Sequence, residues 1–370
     1  MDTIVGIGWT MLGAVFLGTF ALPSKYIKNY EWENTWGSFF LFAMLIVPVG
    51  FAMLVVNGLW QTYADVPWSI ILGVMGLSFL WGCGFCCWGY GLSMLGLSIG
   101  YSLTMGTMAL VGSIVPFFLG SAAMATTLPG IVIIGGILIC IIGVGLNGFA
   151  GFQREKSQAA GEAAAAEEGR KKKPVLLGIV VCILAGVLSS GLNIAFHIGG
   201  KNEATRISDG EAAPTTTRPD RAQYARIAEI SEKELGNAPW MAGLSTWTLV
   251  FLGGAISSVA FSLILLCKNK TWKNFGAVAS GRNLLFTFIM AVGHFACIFF
   301  YGIGGWKLGA LGTSVGFAIF QSGSLLLGNG LGFFTGEWKG ASSKSRTWLA
   351  IGLAVLIGGI VVVSIGNSMT

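Results

Sequence analysis

Charge is what this sequence has least of. Only 10% of its 370 residues are charged, whereas 54% are hydrophobic, and its mean hydropathy is +0.75. A soluble domain carries about one quarter charged residues, so the composition excludes a water-soluble globule of this size. Glycine is abundant, 56 residues, but follows no G-X-Y period, which excludes collagen. Apolar dominance excludes disorder for most of the chain. Residues 1–20 lack a basic n-region, so no signal peptide is expected. There is no phosphate-cradling Gly-rich loop, no H-E-x-x-H and no Ser/His/Asp set with an intramembrane acid. These absences argue against an ATP-driven pump and against an enzyme, and no polar segment is long enough for a sensor's output domain. The seven cysteines (83, 86, 87, 140, 182, 267, 297) form neither a disulfide framework nor a paired metal motif, and read as small packing residues. No cofactor or metal is expected. The net charge of +6 does not point to nucleic acid, because the cations sit in the loops between apolar runs.

The fold class expected is an all-α polytopic membrane protein. About 20 apolar residues are needed per span, and ten such runs are present, near 4–24, 35–57, 68–90, 97–119, 129–150, 175–198, 240–267, 283–305, 309–334 and 347–366. No run has an Asp or Glu in its middle. Fifteen Lys and Arg fall in one set of loops and seven in the other, six of those seven within 199–240. The positive-inside rule then predicts both termini outside and residues 151–174 in the cytoplasm. Residues 154–173 read as an Ala/Glu/Lys-rich linker. Residues 199–239 read as an extracytoplasmic polar loop, with a short amphipathic helix as the other reading of RAQYARIAEISEKEL.

Five runs precede the linker and five follow it, which divides the chain into 1–150, 151–174 and 175–370. S-I-G-Y-S-L (98–103) matches S-V-G-F-A-I (314–319), and Gly112-Ser113 matches Gly328-Asn329, all at an offset of 216. Gly13 and Gly18 align with Gly186 and Gly191 at an offset of 173. With an odd number of spans in each half, the halves are expected to be inverted repeats, an arrangement of secondary transporters that bind substrate near the midplane.

Polar side chains inside the runs are the functional candidates. His294 sits near the middle of the eighth run, where it either carries a proton or bonds a neighbouring helix. His197, near the outer end of the sixth, has the same two readings. Gln321 lies in the middle of the ninth. Tyr101, Thr104, Asn193, Tyr301, Phe317 and Gln321 are the candidate substrate-binding set, with Tyr101, Thr104, Phe317 and Gln321 expected to face a central cavity. Among the aromatics, Trp81, Trp88, Tyr90, Tyr101, Tyr301 and Trp306 either stack on a sugar ring or anchor the membrane interface. Lys25, Glu33 and Glu337 lie at the expected cytoplasmic rim and form a gate or simply meet solvent.

Four segments carry a family resemblance. F-x-x-P-S-K-Y-I-K-N-Y-E-W-E-N-T-W (20–36), W-G-x-G-x-x-x-W-G-Y-G-L-S-M-L-G-L-S-I-G (81–100), G-V-L-S-S-G-L-N-I-A (186–195) and G-E-W-K-G-A (336–341) resemble, in order along nearly the whole chain, the L-rhamnose–proton symporters of the drug/metabolite transporter superfamily. The resemblance implies ten helices in two inverted five-helix halves in a bacterial inner membrane, with a deoxy sugar and a proton as partners. Two departures stand out: the insert at 199–238 is longer than the family pattern, and Phe85-Cys86-Cys87 replaces more polar residues. Because no intramembrane acid is present, the resemblance assigns the proton to no residue. A sodium-coupled carrier or a metabolite exporter on the same fold is the alternative.

Overall fold

Hydrocarbon offers no partner to backbone N–H and C=O groups, so a long apolar run must satisfy them within itself, as a helix. A computed structural model of the chain describes residues 2–95, 97–162, 175–200, 226–334, 336 and 338–370, and among these the regular structure is helical. The long helices are α1 (Thr3–Tyr26), α2 (Trp32–Val55), α3 (Trp68–Leu92), α4 (Ile99–Gly120), α5 (Leu128–Ser157), α6 (Leu176–Gly199), α7 (Pro239–Asn269), α8 (Ser280–Lys307), α9 (Gly312–Phe334) and α10 (Ser343–Ser368). All but α9 are long and apolar enough to cross a membrane, nine among the described residues. The expected ninth span is therefore a 23-residue helix of a different kind. It carries Gln321, Ser322, Ser324 and Asn329, and its polar residues from Ser314 to Ser324 are buried inside the protein.

Local chemistry shapes individual helices. In α2 a π-helical stretch, Leu41–Ile46, precedes Pro48 near the start of the next helical segment, Val47–Val55, where the missing proline N–H is tolerated. Helix α6 is interrupted by a turn at Ser190, between Val175–Ser189 and Gly191–Gly199. The helical run of α5 continues to Glu162, so the start of the 154–173 linker is helical and the rest lies outside the described residues. Within the 199–239 loop, residues 201–225 likewise lie outside them. The loop ends in a short helix, Ile227–Lys233, whose Ile227, Ala228, Ile230 and Ser231 are buried against α7. Its Ile227 and Ile230 join the main hydrophobic core of the protein.

Helix pairing follows a pattern. Helix α1 packs on α8 and α9; α6 packs on α3 and α4; α5 pairs with α10. Lipid tails are as apolar as leucine, so close backbone approach at small residues holds such pairs together. A Cβ on Gly13 would lie 2.7 Å from the Cys297 carbonyl of α8, and one on Gly186 would lie 2.6 Å from the Thr104 carbonyl of α4. Gly18 approaches the Ser324 carbonyl of α9, while Gly191 abuts the Leu77 carbonyl of α3.

At one end of the bundle, Glu33, buried at the start of α2, accepts hydrogen bonds from Asn269 Nδ2 (3.0 Å) and Thr271 Oγ1 (2.8 Å) at the end of α7. Lys28 and Asn283 bond each other nearby. Lys25, Lys28, Arg154, Lys268, Lys270, Lys273 and Arg282 flank the helix ends that meet here. The opposite end joins Asn57 to Asn237 and Arg226 to His197.

Candidate functional site

A cavity of about 420 Å³ runs from the middle of the bundle toward the basic end. That volume lies within the about 300–1,000 Å³ usual for small-molecule sites. Eight helices line it, all except α7 and α10. Its wall is largely aromatic and aliphatic: Phe20 of α1, Trp36 of α2, Trp81, Phe85 and Trp88 of α3, Met105 and Met108 of α4, and Phe320 of α9. Against this wall stand a few polar side chains. Gln321, in mid-α9, borders the cavity and is 3% exposed. Thr104 lines it but donates its hydroxyl to the Cys182 carbonyl at 3.2 Å. Tyr101 stands beside Trp88, with ring centroids 6.2 Å apart. Toward the basic end, Asn329 donates to Asn147 Oδ1 at 3.3 Å, and the Arg154 guanidinium lies 4.9 Å from the centre of the Trp338 ring.

His294 is at the inner end of this cavity, 4% exposed. Its Nδ1 is buried without a hydrogen-bond partner among the described residues. Four aromatic rings surround the imidazole: Trp81 parallel to it (centroids 6.4 Å, 6°), and Phe20, Phe39 and Phe251 edge-on at 5.2, 5.5 and 5.9 Å. The imidazole is thus enclosed by apolar rings, one parallel to it and three edge-on.

The remaining candidates lie elsewhere. Asn193, Tyr301 and Phe317 do not line this cavity; they form a sealed layer beyond it. Asn193 of α6 donates Nδ2 to the carbonyls of Gly112 (α4) and Thr313 (α9), both at 2.7 Å, and its Oδ1 accepts from the Tyr301 hydroxyl of α8. One amide thus ties four helices together. Tyr301 stacks on Phe320 (4.8 Å) and packs edge-on against Phe317 (5.8 Å) in the same layer. His197 is beyond the layer, its Nδ1 2.8 Å from Thr313 Oγ1. Lys25 is exposed at the basic rim, and Glu33 bonds to Asn269 and Thr271, neither of them a cation. Glu337 lies outside the described residues. Tyr90 is 57% exposed, as an interface anchor is, whereas Trp81 is buried in the cage.

Sequence reasoning missed three parts of the cavity. Arg154 was visible only as a topology signal, because one cation of a basic segment looks like the rest until its helix turns it toward Trp338. Asn147 gave no signal of a distant partner, since its amide also bonds the Gly143 carbonyl of its own helix at 2.7 Å, although Asn329 already stood out in the repeated motif. The cage around His294 draws its rings from four helices, and no spacing along one helix reveals that.

Two comparisons bear on this geometry. Residues 1–209 match the model of the L-rhamnose-proton symport protein (RhaT) family. The chain belongs to that family. It is also similar along its whole length to curated relatives named L-rhamnose-proton symporter. The relative from Pectobacterium atrosepticum is 25% identical over 373 residues, covering 99% of this chain and 98% of its own. One from Escherichia coli strain 55989 is 26% identical over 369 residues, covering 98% and 97%, as is one from Shigella boydii serotype 18. The family is one of transporters, not enzymes, and the chain is a multi-pass membrane protein.

Proposed function

We propose that this chain is a secondary active transporter that imports L-rhamnose or a closely related deoxy sugar together with a proton. The observation that carries this reading is the cavity itself. It is aromatic-walled, has the polar Gln321 on one side and the caged His294 at its inner end, and occurs in a chain of the rhamnose–proton symport family. Aromatic faces suit the apolar faces of a pyranose, and one amide bonds its hydroxyls. Tyr101, Thr104 and Gln321 are the sugar-facing residues of this conformer; Tyr301, Asn193 and Phe317 meet the sugar when their layer opens. His294 is the proton carrier, with His197 the second candidate. Lys25, Glu33 and Glu337 are the rim of the cytoplasmic mouth.

In this reading all ten long helices cross the inner membrane as two inverted halves, on the drug/metabolite transporter plan. Helix pairing supports it: α1 with α8 and α9 corresponds to α6 with α3 and α4, as an inversion of helices one to five onto six to ten requires. The glycines at offset 173 do not follow the same correspondence, since Gly13 faces α8 whereas Gly186 faces α4. The cation count argues for the basic end in the cytoplasm and both termini outside. The conformer is then open inward and sealed outward. Labelling a cysteine at position 156 from outside intact cells would overturn this orientation.

Uptake of labelled L-rhamnose against a panel of other sugars, in proteoliposomes with and without an imposed pH gradient, tests the function. Accumulation of L-rhamnose driven by an inward proton gradient is the expected result. Accumulation driven only by sodium, or only of another sugar, would replace the reading.

A further inference from the structure

A second, smaller cavity of about 90 Å³ lies at the opposite end of the bundle, between the ends of α6 and α8 and the starts of α7 and α9. It is aligned with the first. On α6, Leu192 lines the large cavity and Phe196 the small one; on α8, Ile298 lines the large and Gly302 the small. Four residues of helix rise about 6 Å, so the two spaces are separated by one helical turn. That turn is the sealed layer of Asn193 and Tyr301, backed by Phe196 stacked on Trp247 at 3.9 Å.

The small cavity has the chemistry of a carbohydrate site. Trp240 and Trp306 line it, and so do the polar side chains of His197, Arg226 and Thr313. The indole of Trp247 also lines it, and that residue is 98% buried by its 2% exposure. Its Nε1–H has no acceptor among the described residues. The nitrogen points at Gly302, where a Cβ would lie 2.5 Å away, and Gly302 itself lines the cavity. A buried donor left unpaired costs about 1–3 kcal/mol; the nitrogen is shielded in this conformer, and a hydroxyl entering beside Gly302 as the indole shifts would remove that cost.

We propose that this cavity is an outer subsite that receives the sugar before the sealed layer opens, with a ring hydroxyl accepting from Trp247 Nε1 and the pyranose edge resting among Trp240, Trp306 and Thr313. The space is too small to enclose a monosaccharide, so it holds one edge of the ring and leaves the rest in the outer solution. That suits an entry site that must release its ligand onward. The inference rests on the sugar-import reading and names where that sugar first binds.

The test uses the full-length protein and thiol protection. A Cβ at Gly243 meets nothing within 4 Å, and Gly243 lines the small cavity, so Gly243→Cys puts a thiol into it without a clash. Labelling by a membrane-impermeant maleimide, measured against the wild-type background, is expected to be slowed by L-rhamnose and not by sucrose. The protection should persist when Gln321→Ala weakens the central site, and should shift to about five- to tenfold higher sugar in Trp247→Phe, the loss of one hydrogen bond. Protection that disappears with Gln321→Ala would mean that only a conformational change hides the thiol, and it would overturn the subsite. So would absent protection in protein that transports L-rhamnose. As a second measurement, Trp306→Leu, at a residue of the small cavity outside the sealed layer, is expected to raise the KM for sugar presented to the small-cavity side and to leave the KM from the basic side unchanged; equal changes on both sides would also overturn it. Wild-type protein that neither binds nor transports L-rhamnose would instead remove the import reading on which the subsite rests.

Discussion

The two ends of this helix bundle use similar side chains in opposite ways. On the sealed side, Asn193, Tyr301, Thr313 and His197 are joined to one another and to backbone carbonyls, and the layer of Asn193 and Tyr301 separates the two cavities. On the open side, Gln321 borders a cavity and His294 leaves Nδ1 unpartnered. An amide ties helices together in one place and borders a cavity in the other. The difference lies in whether the protein itself supplies the hydrogen bonds. In a membrane, where an unpaired polar group is costly, a satisfied polar residue holds a conformation, whereas one left unpaired beside a cavity is free to meet what enters it.

The comparison is broken most severely by removing the close packing on which both ends depend. Gly191 abuts the Leu77 carbonyl where α6 crosses α3. Gly191→Val is expected to abolish the folded protein in membranes, read as loss of a monodisperse peak on size exclusion. Gly73→Val, at a site with open space around it, is the control and should leave that peak unchanged.

Next in size is His294→Gln. It retains bulk and hydrogen bonding but carries no proton, so accumulation driven by a pH gradient should vanish while sugar exchange at equal pH persists. Unchanged accumulation would move the proton to His197 or to Glu33 and Glu337. If the cage of Trp81, Phe20, Phe39 and Phe251 serves a charged ring, Trp81→Leu should weaken pH-driven accumulation and leave exchange nearly intact. Equal losses in both assays would reduce the cage to packing.

Gln321→Ala removes the amide that borders the cavity. A lost hydrogen bond or two costs about 1–3 kcal/mol, so KM should rise by about 10- to 100-fold. A KM within twofold of the wild type (a change of about 0.4 kcal/mol) would deny Gln321 a place on the sugar.

Asn193→Ala sharpens the contrast with the smallest effect. It strips the Gly112 and Thr313 carbonyls and the Tyr301 hydroxyl of their common partner, so the sealed layer should open more often. A shift of about 1–2 kcal/mol changes the ratio of conformers by about 5- to 30-fold. Slower labelling of a thiol at Ser189, in the large cavity, from the basic side would register it. If Asn193→Ala and Gln321→Ala had the same signature, a raised KM with unaltered accessibility, the division between staple and binding group would fail.

Much of the architecture was legible along the chain, because one physical requirement dominates it. Backbone groups in hydrocarbon must bond within their own helix, so apolar length alone reveals where α1 to α8 and α10 run. Helix α9 shows the limit of that logic. Its position was legible, but its polarity makes sense only because neighbouring helices shield Gln321, Ser322 and Ser324 from lipid. His294 and Gln321 were conspicuous because polar residues are rare in such runs, and the structure brings both to one cavity. Asn193 and Tyr301 were weaker candidates of the same kind and came out differently. A sequence displays which side chains need partners; which partners they find depends on helices more than 100 residues apart. Composition and periodicity by themselves therefore determined a polytopic helical membrane protein with a handful of polar residues inside it. Only tertiary packing decided which of them are bonded shut and which line an open cavity, because hydrogen-bond satisfaction is a property of neighbours in space and not of neighbours in sequence.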